Sequence, residues 1–348
     1  MAYTDIDKPD LYFNTVLYTG NGSTQSITGV GFQPDETWIK CRNINRSHRL
    51  FDSVRGAGKR LVPDGNQAEN TSTTLLNSFD SDGFTLGTAG AVNAASDIYV
   101  SWNWLASNTT GSNINGSITS TVSVNTTSGF SIVSYTGTGS TATVGHGLGV
   151  TPAMIIVKDR TNAGANWVCW NKNFSNLTND YIILNNTDAK GTFSNYWGTS
   201  APTSSVFGLG SGGLDNNRSS ADIIAYCFAD KKGFSKFGTY IGNGSSDGTF
   251  VYTGFKPAMV IMKKIDAAGN NWRIFDNKRS TSGFNVTDLA LRPNTNNVEF
   301  SSNIDFVSNG VKIRNIDAET NTSGATYIYM AFAESPFTTS TGIPTTAR

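Results

Sequence analysis

The chain has 348 residues, enough for two or three compact units that each bury a core without a metal or a disulfide staple. Its 26 basic and 26 acidic side chains cancel and only 15% of residues are charged, so no net field favours nucleic acid or an anionic membrane surface. Gly, Ser, Thr and Asn crowd the stretches between short apolar runs, a turn-rich composition that points away from helical layers.

Residues 1–11 read as a short polar N-terminal arm. They lack the basic and apolar stretches of a signal peptide, and the longest aliphatic run, Met154 to Val157, is too short to span a bilayer. The expectation is folding in a cytoplasm with no membrane insertion. Residues 12–106 then form a first β unit. It opens on Tyr18-Thr19-Gly20-Asn21-Gly22-Ser23, enters the strand Thr37-Trp38-Ile39 through Pro34, continues to Leu50-Phe51-Asp52 and closes on Tyr99 to Trp104. Residues 107–128, with Ser107-Asn108-Thr109-Thr110-Gly111-Ser112-Asn113 at their head, read as a linker.

The same series recurs in residues 129–232, from Tyr135-Thr136-Gly137-Thr138-Gly139-Ser140 through Pro152 and Ile155-Ile156-Val157 to Trp167-Val168-Cys169-Trp170 and Ile223 to Phe228. It recurs again in residues 233–337, from Tyr240-Ile241-Gly242-Asn243-Gly244-Ser245 through Pro257 and Val260-Ile261-Met262 to Trp272-Arg273-Ile274-Phe275-Asp276 and Tyr327 to Phe332. Six residues past each proline stands a lysine, Lys40, Lys158 or Lys263. The copies begin about 110 residues apart, a domain-sized interval far above the period of a solenoid. The sequence therefore predicts an all-β chain of three tandem homologous β-sandwich-like domains, a C-terminal tail at 338–348, and only isolated helical turns.

Three cysteines, Cys41, Cys169 and Cys227, form an odd set without C-x-x-C spacing and read as buried small apolar residues. His48 lies among cations in Arg46-Ser47-His48-Arg49 and reads as part of a solvated loop. His146 lies in a Gly-rich turn and should hydrogen-bond neighbouring backbone. Neither has the partners of a triad or a metal site. Asp80-Ser81-Asp82-Gly83 resembles the start of a calcium loop but has Ala91 where the bidentate Glu should be. Gly208-Leu209-Gly210-Ser211-Gly212-Gly213 lacks the Lys-Ser/Thr of a phosphate cradle. Asp52 and Asp276, each close to an arginine, Arg55 or Arg279, fit ion pairs better than the two carboxylates of a glycosidase. No catalytic residue, cofactor or metal is predicted. Asn195-Tyr196-Trp197 belongs to one copy only. A core feature should recur in every copy, so Tyr196 and Trp197 are the candidate contact residues.

Val144-Gly145-His146-Gly147-Leu148-Gly149-Val150-Thr151-Pro152-Ala153-Met154-Ile155-Ile156-Val157-Lys158, Asn195 to Thr203, Gly233 to Gly244 and Phe250 to Ala258 resemble a repeat of virion structural proteins from tailed, often marine, bacteriophages, many labelled as tail-fibre proteins. The opening Met1 to Asn14 resembles the start of such proteins as well. The resemblance implies a non-catalytic virion protein assembled in the host cytoplasm, a tail fibre, spike or surface appendage contacting host-envelope glycans. The alternative it implies is a head-decoration or tail-assembly protein contacting other virion subunits. In either role the short N-terminal arm reads as an anchoring peg. It also implies a homotrimer.

Overall fold

The computed structural model describes residues 3–212, 214–281 and 286–345, and the chain is nearly all β. Among the described residues the helices are single turns, Gly90–Asn93 and Ala318–Asn321, with a 3-10 turn at Pro9–Leu11.

One four-stranded antiparallel arrangement occurs three times. The first strands are Phe13–Thr19, Phe130–Thr136 and Ser235–Ile241, and the second strands are Glu36–Cys41, Met154–Asp159 and Phe255–Lys264. The third strands are Arg49–Asp52, Trp167–Asn171 and Arg273–Asp276, and the fourth are Ile98–Trp104, Asp222–Phe228 and Thr326–Pro336. In each repeat the spatial order is first, fourth, second, third. The register is shared too: Lys40 faces Val100, Lys158 faces Ile224 and Lys263 faces Ile328. The constant proline-to-lysine offset thus marks equivalent positions on equivalent strands.

The turn motif Tyr-x-Gly-x-Gly-Ser has a physical cause common to all three copies. The tyrosine hydroxyl donates to a backbone carbonyl at the head of the fourth strand, Tyr18 to Val92, Tyr135 to Asn216 and Tyr240 to Thr320, at 2.7 to 2.8 Å. A wholly buried asparagine, Asn93, Asn217 or Asn321, accepts an N–H from the residue between the glycines and donates back to the serine carbonyl. The first glycine is required because a Cβ on Gly20, Gly137 or Gly242 would lie 2.2 to 2.3 Å from the carbonyl oxygen following that asparagine. The second has φ between +69° and +72°, where a side chain is strained.

Side chains alternate across the four-stranded sheets, yet both faces are covered, so the strands read as continuous apolar runs. On one face Tyr99, Cys227 and Tyr327 pack under the repeat's own second layer. That layer is three-stranded in repeat one (Gln25–Thr28, Gly83–Leu86, Leu76–Asp80) and four-stranded in repeat three (Phe250–Tyr252, Gly310–Ile313, Phe300–Val307, Val286–Ala290). In repeat two it has two strands, Ala142–Gly145 and Val206–Leu209. The opposite faces of all three sheets contribute to a single central core that includes Trp38, Trp102, Ile156, Tyr226, Ile261 and Met330. Trp104, Phe228 and Phe332 hold equivalent positions on the fourth strands and meet one another, with centroids 6.4, 5.8 and 5.6 Å apart, around a pseudo-threefold axis.

Three corrections to the sequence expectations follow. The units are not self-contained, because each lends one sheet face to a common core. Residues 107–128 are more than a linker: Gly111–Asn113 and Ser120–Asn125 add two strands to the outer edge of the second sheet. The N-terminal arm is not a free peg either, since Ile6 is buried in the central core and the Thr4 hydroxyl donates to the Lys232 carbonyl.

Candidate functional site

The charged and ring-nitrogen groups that would attract a catalytic reading gather at the seams between repeats. Lys40, Lys158 and Lys263 are fully buried on the central face. Each ammonium donates to a carbonyl of its own repeat, Cys41, Ala165 or Asn270, and to one in the neighbouring repeat, Asn296, Asn66 or Thr187. Burial pulls each lysine down to about 8. Opposite these lysines a ring N–H crosses the same seam. Trp167 donates to the Val62 carbonyl at 2.9 Å and Trp272 to Ile183 at 3.0 Å.

His48 takes the tryptophan's place in repeat one. It accepts the Trp38 indole N–H at Nδ1, 2.8 Å away, so its proton is on Nε2, which donates to the Arg292 carbonyl at 3.1 Å. His48 is completely buried, contrary to the solvated loop expected from its cationic neighbours, and burial together with the Lys40 charge drives its pKa well below the usual value. His146 behaves as expected: Nδ1 accepts the Leu148 N–H.

Two seams carry one charged cluster each. Between repeats one and two, Asp52 pairs with Arg55 at 2.5 Å, Arg55 reaches Glu69 at 3.1 Å, and Arg160 grips Glu69 through two bonds of 2.8 and 2.9 Å. Burial opposes the Glu69 charge, but Arg160 and Arg55 outweigh it and hold its pKa below the ordinary range. Between repeats three and one, Asp276, Arg279, Glu299 and Arg42 repeat the chain. A donor from the adjoining repeat completes each aspartate, Tyr226 Oη for Asp52 and Trp102 Nε1 for Asp276. The third seam replaces every member. Asn171 and Phe174 stand for Asp and Arg, Lys190 for Glu, Ile265 for the second Arg, and Met330 for the donor, while the crossing backbone bond from residue 190 to the carbonyl of 265 is kept at 2.9 Å. The expected pairing of Asp52 with Arg55 and Asp276 with Arg279 is present as the core of these clusters.

The predicted contact residues are placed differently. Trp197 is wholly buried and Tyr196 nearly so, both within the core of repeat two. The Trp197 indole donates to the Asp180 carbonyl at 3.0 Å, and its own carbonyl oxygen would sit 2.2 Å from a Cβ on Gly208. This segment lies against the Val206–Leu209 strand where the second layer of repeat two has fewer strands than the others. It is specific to one copy because it fills a gap specific to that copy. All three cysteines are buried, as expected. Gly213 of the glycine-rich loop lies outside the described residues.

A pronounced concave feature among the described residues lies elsewhere. A cleft of about 620 Å³ runs between Tyr3 to Asp5, the turn Asp230 to Lys236 that joins repeats two and three, the Tyr252 to Gly254 corner and Phe337. A shallower cleft of about 400 Å³ adjoins it, sharing Lys236 and Tyr252 and extending to Phe250 and Lys172. The Lys236 ammonium sits 4.8 Å above the Tyr252 ring, and Lys172 pairs with Asp230. The segments Gly233 to Gly244 and Phe250 to Ala258, which line much of these clefts, stand out in the sequence for their resemblance and not as a site. The signal was available in Phe250 and Tyr252, which flank the inward Val251 where the other copies carry Ser26 and Thr28, or Thr143 and Gly145.

Residues 8–336 match the family described as a domain of unknown function (DUF7483). No curated protein and no solved structure matches the chain.

Proposed function

The chain belongs to this family, and we propose that it is a non-catalytic structural protein of bacteriophage virions, a tail fibre, spike or related surface appendage that contacts host-envelope glycans. The observation that carries the reading is the use made of its buried titratable groups. His48, the three lysines and the two Asp-Arg-Glu-Arg clusters are all engaged in joining one repeat to the next, as suits a rigid body that displays loops. The resemblance of the repeats to phage virion proteins supplies the setting.

Mass spectrometry of purified particles from a phage that carries this gene, with immunogold labelling of intact virions, tests the reading. Label on distal tail structures supports an appendage. Label on the head surface supports the head-decoration or tail-assembly alternative, and absence of the chain from particles refutes both. Light scattering of the purified protein tests the homotrimer against a 37.2 kDa single chain.

A further inference from the structure

We propose that the paired clefts at the junction of repeats two and three form a binding groove for an acidic oligosaccharide. This rests on the appendage reading for its biological setting but on separate observations for its location.

The first observation is where the exposed aromatic rings lie. Among the described residues five aromatic side chains are exposed, Tyr3, Phe193, Phe250, Tyr252 and Phe337, and all but Phe193 line these two clefts. Exposed rings cost solvation free energy, and four of them around one concavity offer flat apolar faces for the C–H faces of sugar rings. The second is that Phe250 and Tyr252 are specific to this copy while the inward residue between them is retained. Val251, Ile27 and Val144 all point into their own cores, so the outward positions are released from packing. Small polar residues suffice there in repeats one and two.

The third observation is charge. Lys172, Lys231, Lys232 and Lys236 face Asp5 and Asp230 around the groove, a surplus of two positive charges in a chain whose total is zero. Asp230 is committed to Lys172 and to the Phe237 N–H, so its carboxylate adds little repulsion toward an anion. The hydroxyls of the exposed Tyr3 and Tyr252 and the amide of the exposed Asn173 supply the adaptable hydrogen bonds that a polyhydroxylated ligand requires. Rings interleaved with cations and hydroxyls favour an anionic sugar over the continuous apolar patch that a protein partner would need.

The full-length protein is tested on immobilised polygalacturonate, alginate, chondroitin sulfate and smooth lipopolysaccharide, with dextran and mannan as neutral controls. At least one acidic polymer should bind, and binding should weaken as salt rises from 50 to 300 mM. Tyr252→Ala should reduce the affinity at least tenfold with an unchanged melting temperature, and Lys231→Gln with Lys232→Gln should flatten the salt dependence. Phe193→Ala, at the exposed ring outside the groove, should change nothing. Failure of every polymer to bind, undiminished binding by Tyr252→Ala, or equal binding to dextran and mannan overturns the proposal. So does crosslinking of the groove to a virion protein in intact particles. A chain found in virions but inert on all polymers sinks the groove alone, whereas a chain that binds an acidic polymer through Tyr252 but is absent from particles sinks the virion reading alone.

Discussion

Removing one member of a seam cluster should be far more damaging than replacing the cluster. Arg55→Phe leaves Asp52 fully buried beside the buried Glu36, with only the Tyr226 hydroxyl, the turn N–H and no cation. An uncompensated buried charge costs about 3 to 5 kcal/mol. With an unfolding entropy near 2 cal/mol/K per residue, a chain of 348 residues that melts as one unit should lose roughly 4 to 7 °C. The third seam does without the Asp-Arg-Glu-Arg chain: Asn171, Phe174, Ile265 and Met330 at the corresponding positions are neutral, and Lys190 pairs with Asp180 of its own repeat. Transplanting its neutral members as Asp52→Asn, Arg55→Phe, Arg160→Ile and Tyr226→Met, with Glu69→Gln as the fifth change, should recover most of the loss, because a neutral packed set avoids the desolvation that charges incur. Differential scanning calorimetry of the wild type, the single variant and the fivefold variant measures both effects. A single variant within 1 kcal/mol of wild type, or a fivefold variant at least as unstable as the single one, would refute the reasoning.

Lys40, Lys158 and Lys263 titrate near 8 in the fold against 10.5 when exposed, so the folded state sheds their protons first and stability should rise from pH 7 to 9. The gain is on the order of 1 kcal/mol per lysine, and urea midpoints at the two pH values measure it. On the acid side, His48 and His146 have lowered pKa values, so charging them in the unfolded chain should erode stability as pH falls below 6.5. Trp197→Ala should cost about 3 to 5 kcal/mol of stability by denaturant titration, with no loss of polysaccharide binding by the protein that remains folded. Residues 129–232 expressed alone should give a poorly dispersed amide spectrum, because Ile156, Tyr226 and Phe228 would face water; a sharp, cooperative melt from that fragment would contradict the shared core.

The repeat was legible because its causes are local. A tyrosine, two glycines and a serine must coincide wherever the turn closes on the strand head, and a proline stands six residues before the buried lysine of each second strand. The asparagine that ties the turn was legible in principle, since Asn93, Asn217 and Asn321 each stand six residues before the inward residue of the fourth strand, Tyr99, Ile223 or Tyr327. Such an offset emerges only when the alignment is carried past the aromatic element. The seams were not legible. The Lys40 spacing is the same whether its ammonium is in water or against a carbonyl 256 residues away, and His48 among arginines reads as solvated until the neighbouring repeat covers it.

The contact residues expose a specific weakness in comparing copies. A residue found in one copy is free of the packing shared by all, but only if the copies have the same layers. Repeat two lacks strands that its siblings possess, so Tyr196 and Trp197 answer to a packing demand that exists once, and their uniqueness reports a vacancy filled rather than a surface displayed. The comparison becomes discriminating when it is made at matched positions on matched strands. There, Val251, Ile27 and Val144 hold the inward site constant while the outward neighbours change from Ser26 and Thr28, or Thr143 and Gly145, to Phe250 and Tyr252. Core packing explains the constant residue but not the aromatic pair, and that difference between copies is the observation on which the proposed groove rests.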